Sequence, residues 1–467
     1  MPAQILKTMK FNLSALGLMA VLSFMQPLAA QIGKRFPSER KVVKDPVTGA
    51  LLTFLTSTPN GDSKIYQTHN QWTSDGQWLI FRSSRAKGEA MAINETTGEM
   101  IQVTEGGYTG MLNVARKEMK LFFMKNAAQR NADDTARRQN TGPLQIVEVD
   151  LAKLFADSKA NTLKPATNYQ RVCGTTPAEL NAGGDMALDG DEQWAYFRVG
   201  KEAAEKHLAA GTKLENNFGP RNMGAGPSGI AAMNVNTGAI KYVVSVPFQI
   251  GHIQTNPWVP GEIIFCWETG GKSPQRTWTV MADGTGLRPM YTESEYEWVT
   301  HEAVISKDEV AIAIMGHRKI AGINKPTEAG TPVSGANPGQ ETAWGPSGTR
   351  EKPTGLGIVN LRTREMVIAG QTPTGSGLWH VSGSPDGRWA VGDDFTRNIY
   401  LIDRHTREMI LLSTGHKATA ADHPHPTMSP DGTKIEIQSA MLSADNRSMN
   451  ICIIPVPDEW LKRAYRN

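Results

Sequence analysis

Six of the ten histidines in the chain recur at one kind of position, shortly before a Ser-Pro-Asp-Gly turn or a degenerate form of it. If the repeats are structurally equivalent, these imidazoles come from equivalent positions and can converge on one point. Converging neutral imidazoles can bind a divalent metal or abstract a proton. The pattern therefore indicates a metal site, a proton-abstracting site or both. The histidines are His69, His252, His301, His380, His423 and His425.

The tripeptide His423-Pro424-His425 is the most specific part of this pattern. In an extended strand, side chains two positions apart lie on the same face, about 6–7 Å from each other. Two imidazoles on one face and a third from a neighbouring repeat could form half of a metal coordination sphere. The alternative for any single histidine is a structural role, in which it hydrogen-bonds a turn of its own repeat.

Two repeated signatures describe the elements that must position these histidines. The first is a strand after a Ser-Pro-Asp-Gly-like turn, as in GSPDGRWAV and MSPDGTKIEI, and it occurs seven times. The second is an alternating strand with a tight hairpin, as in IDRHTREMILL, and it follows most copies of the first. One pair of signatures makes about one four-stranded antiparallel sheet, so the repeats predict an all-β, seven-bladed β-propeller. Residues 44–57 carry the second signature alone, which predicts that an N-terminal strand completes the last blade.

Composition agrees with an all-β chain that has many turns, because glycine (45) and proline (27) are frequent and helical periodicity is scarce. The net charge of +3 gives no reason to expect a nucleic-acid partner. Cys266 and Cys452 lie in apolar strand patterns, so we expect them to be buried rather than to bind metal.

The first thirty residues read as a signal peptide. Lys7 and Lys10 precede an apolar run at 11–25, and the sequence QPLAAQ then offers a cleavage site after Ala30. The run is too short for a comfortable membrane span. We therefore predict export to the periplasm or beyond, with no membrane span after cleavage.

Residues 31–467 are predicted to form a single propeller domain with insertions at its rim. The insertions are polar or rich in glycine and proline, and 201–216 within one of them has helical spacing. They fall at about 127–145, 200–229 and 318–355.

Four motifs, in this order, resemble the oligogalacturonate lyase family: IGH, a Cys-containing strand ending in Trp267-Glu268, THE, and HPHP. The resemblance covers roughly residues 32–456 and is interrupted by the insertions. It implies a seven-bladed propeller that cleaves an acidic, uronate-containing oligosaccharide by β-elimination. It also implies a divalent metal, typically manganese, with calcium as the alternative.

The resemblance also divides the histidines by role. It makes His252 of IGH the general base, and His301 of THE with His423 and His425 of HPHP the metal ligands. His380 matches a family histidine and belongs to the pocket without a firm role. His69 is a further pocket candidate, with a turn-stabilising role as its alternative.

The chain departs from the family pattern at two positions. A glutamine ligand three residues before HPHP is replaced by Ala420, for which Asp422, His416 or water could substitute. The arginine expected before IGH is missing, and Arg221 is the nearest replacement. These changes favour a changed substrate, such as ulvan or a rhamnose–glucuronate glycan.

Two other functions remain open from the sequence. The same Ser-Pro-Asp-Gly repeats occur in non-catalytic, Tol-type periplasmic binding propellers, which have no need of HPHP in register with THE and IGH. A propeller hydrolase is disfavoured, because the chain contains no G-x-S-x-G nucleophile elbow.

Overall fold

The computed structural model describes residues 31–127, 141–217, 222–271, 273–294, 297–316, 354–372 and 377–465. Within them the chain forms seven antiparallel sheets, and the innermost strands of successive sheets contact one another. The seven-bladed β-propeller predicted from the repeats is therefore confirmed.

The first three blades, given from their inner strand outward, span the N-terminal half. Blade 1 contains Ser63–Lys64, Trp78–Arg82, Ala90–Asn94, Met100–Gln102 and Arg35–Phe36. Blade 2 contains Thr109–Val114, Lys120–Asn126, Leu144–Asp150 and Gln170–Thr175. Blade 3 contains Ala182–Leu188, Trp194–Val199, Ala225–Asn234 and Ile240–Phe248, and Thr141–Gly142 pairs with its first strand.

The remaining blades follow the same plan. Blade 4 contains Ile250–Thr255, Glu262–Trp267, Thr277–Met281 and Arg288–Pro289. Blade 5 contains Glu297–Ser306, Glu309–Gly316, Gly355–Asn360 and Met366–Gly370. Blade 6 contains Val381–Gly383, Trp389–Asp393, Ile399–Asp403 and Met409–Ser413. Blade 7 contains Thr427–Met428, Lys434–Ser439, Asn450–Pro455, Leu51–Phe54 and Lys41–Lys44.

Blade 7 combines strands from both ends of the chain. Leu51–Phe54 pairs antiparallel with Asn450–Pro455, with Thr53 opposite Ile453 and Phe54 opposite Cys452. Lys41–Lys44 forms the outer edge of the same sheet.

Apolar cores lie between neighbouring blades. Phe123 of blade 2 packs with Ile80 of blade 1, for example, and Phe265 of blade 4 packs with Tyr196 of blade 3. Each sheet is therefore apolar on both faces, and burial of these faces stabilises the ring at about 25 cal/mol per Å² of apolar surface. Cys266 and Cys452 are fully buried and unpaired, as expected from their strand patterns.

Helices are few and short. The α-helices of the described residues are Leu151–Ala160, Lys201–Glu205 and Asp458–Leu461, and the 3₁₀ turns are Ser84–Ala86, Ala166–Asn168 and Ala178–Leu180. No helix among the described residues is long and apolar enough to cross a membrane.

The insertion boundaries differ in part from their prediction. The strands Leu144–Asp150 and Ala225–Asn234 begin inside the segments assigned to insertions, because pairing with a neighbouring strand fixes their ends. The helical spacing of 201–216 produces a helix only at Lys201–Glu205. Residues 1–30 and nearly all of 318–355 lie outside the described residues.

Candidate active site and metal centre

A cavity of about 320 Å³ lies where the inner strands of blades 4 to 7 and blade 1 approach one another. Five of the predicted site residues line it, because each lies on or beside an inner strand of its own blade. Repeat register thus brings together side chains that are far apart in sequence. Residues lining the cavity include His252, His301, His380, His423, Asp422 and Tyr66.

Local distortions of the inner strands aim the histidines at this cavity. Pairing of blade 4 shifts register between Gly251 and Gln254, around His252, and pairing of blade 5 shifts at His301. Such bulges redirect a side chain out of the regular alternation. His252 and His425 also adopt left-handed backbone φ values of 49° and 51°, a conformation that only a few per cent of non-glycine residues adopt.

A fully buried carboxylate holds His252. Its Nδ1 lies 2.9 Å from Glu302 Oε1. Because an ionised carboxylate can only accept, Nδ1 carries the proton and the lone pair of the neutral ring lies on Nε2. Burial disfavours the charged ring, but the negative charge of Glu302 outweighs it and raises the pKa of His252 above its usual value.

Arg276 joins the two carboxylates beside His252. Its Nε lies 3.2 Å from Glu302 Oε2, and its Nη2 lies 3.5 Å from Glu268 Oε2. Glu268 Oε2 is in turn 3.7 Å from His252 Nε2. His252 therefore lies in a network of alternating charges, in which Arg276 is almost completely buried.

Four histidines form a compact cluster next to the base. Ring centroids of His380 lie 4.4 Å from His301, 3.7 Å from His425 and 5.3 Å from His423. Burial, followed by repulsion from neighbouring rings, lowers the pKa of His301 well below 6.5. The same causes lower the pKa of His380 to about 3. These two rings are therefore neutral near pH 7, which is the form that binds a metal.

Three buried nitrogens of this cluster lack an oriented hydrogen-bond partner among the described residues: His301 Nδ1, His423 Nδ1 and His425 Nε2. His425 Nε2 lies 3.1 Å from Asp422 Oδ2, and His423 Nδ1 lies 3.6 Å from Asp393 Oδ2, but neither contact has hydrogen-bond geometry. Buried polar atoms in proteins are normally partnered, so these orphans fit a missing metal ion.

A second group with ligand-type atoms is His252, Cys266 and Glu302. Burial raises the pKa of the Cys266 thiol well above 9, so this sulfur stays protonated and is a poor ligand. Glu302 is already bonded to His252 and Arg276. The histidine cluster is accordingly the better metal site.

Asp422 and His416 are the two side chains that could replace the glutamine ligand missing at Ala420, and only one of them is free to do so. Both nitrogens of His416 contact serine hydroxyls, Ser413 Oγ at 2.9 Å and Ser439 Oγ at 2.8 Å. Asp422 lines the cavity beside His425 with its side chain 54% exposed. Asp422 is therefore placed near the centre, and His416 is not available to it.

His69 is not brought into this cavity. Its Nε2 lies 2.8 Å from the Met186 carbonyl and its Nδ1 lies 2.7 Å from Thr68 Oγ1. It lines a separate cavity of about 60 Å³. These contacts correspond to the structural alternative that the sequence left open for this residue. Arg221, the proposed replacement for the missing arginine, lies outside the described residues.

Tyr66 and Arg276 were not found by sequence reasoning. The Tyr66 ring lies 5.2 Å from His252 and 5.1 Å from His425, between the base and the histidine cluster. Burial raises the pKa of its phenol well above 10, so the hydroxyl keeps its proton. A single tyrosine beside an inner strand gives no sequence signal, whereas Arg276 in the apolar run RTWTVM could have been noticed as a charge in a strand.

Solved structures with this fold include two oligogalacturonate lyases. An oligogalacturonate lyase in complex with manganese matches with 17% identity and a TM-score of 0.64, over 92% of this chain and 100% of that chain. An oligogalacturonate lyase from Vibrio parahaemolyticus matches with 16% identity and a TM-score of 0.65, over the same shares of the two chains. No protein-family model and no curated protein sequence matches. The resemblance drawn from the motifs is thus confirmed at the level of the fold.

Proposed function

We propose that the protein is an exported, metal-assisted lyase that cleaves a uronate-containing glycan by β-elimination. One observation carries this proposal. A histidine whose Nδ1–H is held by a buried carboxylate shares a cavity with buried imidazoles that have unpartnered nitrogens. A binding propeller of the Tol type has no need of this arrangement.

Removal of the C5 proton is the difficult step of uronate β-elimination, because the carbanion forms beside a carboxylate. His252 Nε2 is the atom assigned to accept this proton, and Glu302 stabilises the imidazolium that results. Breaking of the C4–O bond then leaves a C4=C5 double bond. Tyr66 lines the cavity, and its hydroxyl is assigned to donate a proton to the departing oxygen.

Two sources of positive charge, Arg276 and the proposed metal, would compensate the negative charge of the uronate carboxylate. Arg276 places a permanent positive charge beside the base, with Nη2 3.3 Å from His252 Nδ1. His301, His423 and His425 would hold the metal, which when bound neutralises the uronate carboxylate and favours the enediolate. Imidazole ligands disfavour calcium, and a structurally similar oligogalacturonate lyase is in complex with manganese, so we propose Mn²⁺ as the ion.

The substrate is proposed to be an acidic oligosaccharide, with oligogalacturonate first and ulvan or a rhamnose–glucuronate glycan as alternatives. The test is to incubate metal-free protein with each glycan, with and without Mn²⁺ or Ca²⁺. Far-ultraviolet absorbance then reports the 4,5-unsaturated uronate. We expect one glycan to react in the presence of metal, and His252→Ala to be inactive. His207→Ala is the control, because His207 stacks on Tyr242 outside the site. Absence of unsaturated product from every uronate glycan would refute the lyase proposal.

A further inference from the structure

His380 occupies the centre of the histidine cluster, although no role has been assigned to it so far. Its ring is the shared neighbour of His301, His423 and His425, at centroid distances of 4.4, 5.3 and 3.7 Å. It is 3% exposed and lines the cavity. A buried imidazole between three proposed ligands has two possible roles. It either packs between them without binding the metal or binds the same ion.

The orientation of His380 favours binding of the ion. Asp393 receives the backbone N–H of His380 at 2.6 Å and contacts its Nδ1 at 3.1 Å. The carboxylate fixes the proton on Nδ1, so that the lone pair of the neutral ring lies on Nε2. A carboxylate that holds the remote nitrogen of an imidazole is the usual support of a metal-ligating histidine.

The burial of Asp393 gives an independent reason for a cation here. Its side chain is fully buried and pairs with His380 and His423, and the charges of Lys64 and Arg397 also act on it. Burying a carboxylate is costly, and one of its oxygens lies within 4.8 Å of a nitrogen of each of these two rings, a grouping that could hold a metal ion. A divalent ion held by the neighbouring rings would offset this charge.

We propose that His380 is a fourth imidazole ligand of the metal centre, oriented through Asp393. This inference rests on the metal site of the proposed function and extends it from three histidines to four. Blade 6 then supplies a fourth protein ligand in a chain that has alanine at position 420. The predicted centre is rich in imidazole nitrogen and accordingly selective for Mn²⁺ and heavier first-row ions over Ca²⁺.

The test measures binding of Mn²⁺ by calorimetry and counts coordinated nitrogens by pulsed electron paramagnetic resonance, without substrate. For His380→Ala we expect affinity to fall at least about 10-fold, with one coupled imidazole fewer than in the parent. Asp393→Asn should lower affinity by about 10- to 100-fold, as expected for loss of a supporting carboxylate. His207→Ala, a surface imidazole, serves as the control and should match the parent.

Circular dichroism establishes that each variant is folded, and His380→Gln provides a second variant if His380→Ala is not. The inference is overturned if folded His380→Ala binds Mn²⁺ with the parent's affinity and nitrogen count. It is equally overturned if affinity falls only in Asp422→Asn, or if the parent binds no Mn²⁺. A parent that binds Mn²⁺ through His380 but yields no unsaturated sugar would refute the lyase and support the four-histidine centre.

Discussion

Glu302 Oε1 lies 2.9 Å from His252 Nδ1, although the two residues belong to different blades. Glu302 directly follows His301 on the inner strand of blade 5. Successive residues of a strand face opposite ways, so one side chain of this strand belongs to the histidine cluster and the next contacts His252. The THE motif therefore couples the two halves of the site.

The pH dependence of kcat/KM should depend on the contact between Glu302 and His252. The base must be neutral, so kcat/KM should rise as pH rises through the raised pKa of His252. Removing the charge in Glu302→Gln lowers that pKa, so the acid limb should move to lower pH. The maximum rate should also fall, by about 10²-fold or more, because the tautomer is no longer fixed. An acid limb that does not move in Glu302→Gln would contradict the assignment of the base.

Arg276 should matter for stability as well as for activity. Its side chain and that of Glu302 are both buried and lie 3.2 Å apart. Arg276→Ala leaves the carboxylate uncompensated, and we expect about 3–5 kcal/mol loss in the free energy of unfolding, measured by urea denaturation. Adding Glu302→Gln to Arg276→Ala should recover part of that loss. A strictly additive double variant would show that the two side chains do not interact.

Tyr66→Phe should separate proton donation from binding. The change removes one oxygen and keeps the ring that packs between His252 and His425. We expect kcat to fall by about 10²- to 10⁴-fold, which is the range for loss of a general acid. Affinity for Mn²⁺ and the melting temperature should stay at the parental values, since no proposed ligand is altered. Parental kcat in this variant would exclude Tyr66 as the donor.

Metal should stabilise the fold by an amount that grows with the logarithm of the free metal concentration above Kd. At a free Mn²⁺ concentration of 100 times Kd, the stabilisation should be about 2.7 kcal/mol, seen as a higher Tm than in the presence of a chelator. His423→Ala should abolish this shift, because it removes one of the unpartnered nitrogens. A shift of equal size in parent and His423→Ala would place the ion elsewhere.

Much of the fold could be predicted because the turn and hairpin of each blade recur along the sequence. Each blade repeats the same turn and hairpin, and each sheet is apolar on both faces because cores lie between blades. The approach of His252, His301, His380 and His423 follows from the same register. Insertion boundaries were less accurate, because strand ends are fixed by pairing partners rather than by local composition.

The parts of the site that the sequence did not indicate depend on contacts between blades. Arg276 precedes the third strand of blade 4, and only tertiary pairing brings it to Glu302 of blade 5. From the sequence alone, Tyr66 resembles an ordinary core aromatic residue. Only the folded ring brings it against His252 of blade 4. One hydrogen bond of His69 likewise comes from another blade, through the Met186 carbonyl of blade 3.

The pairing of Leu51–Phe54 with Asn450–Pro455 sets an order of events during biosynthesis. The strand made early in translation finds its partner only when the strand made last has emerged, so the propeller cannot close on a partial chain. His423 and His425 belong to the same late segment. The proposed metal ligands can therefore come together only after this C-terminal segment has been made.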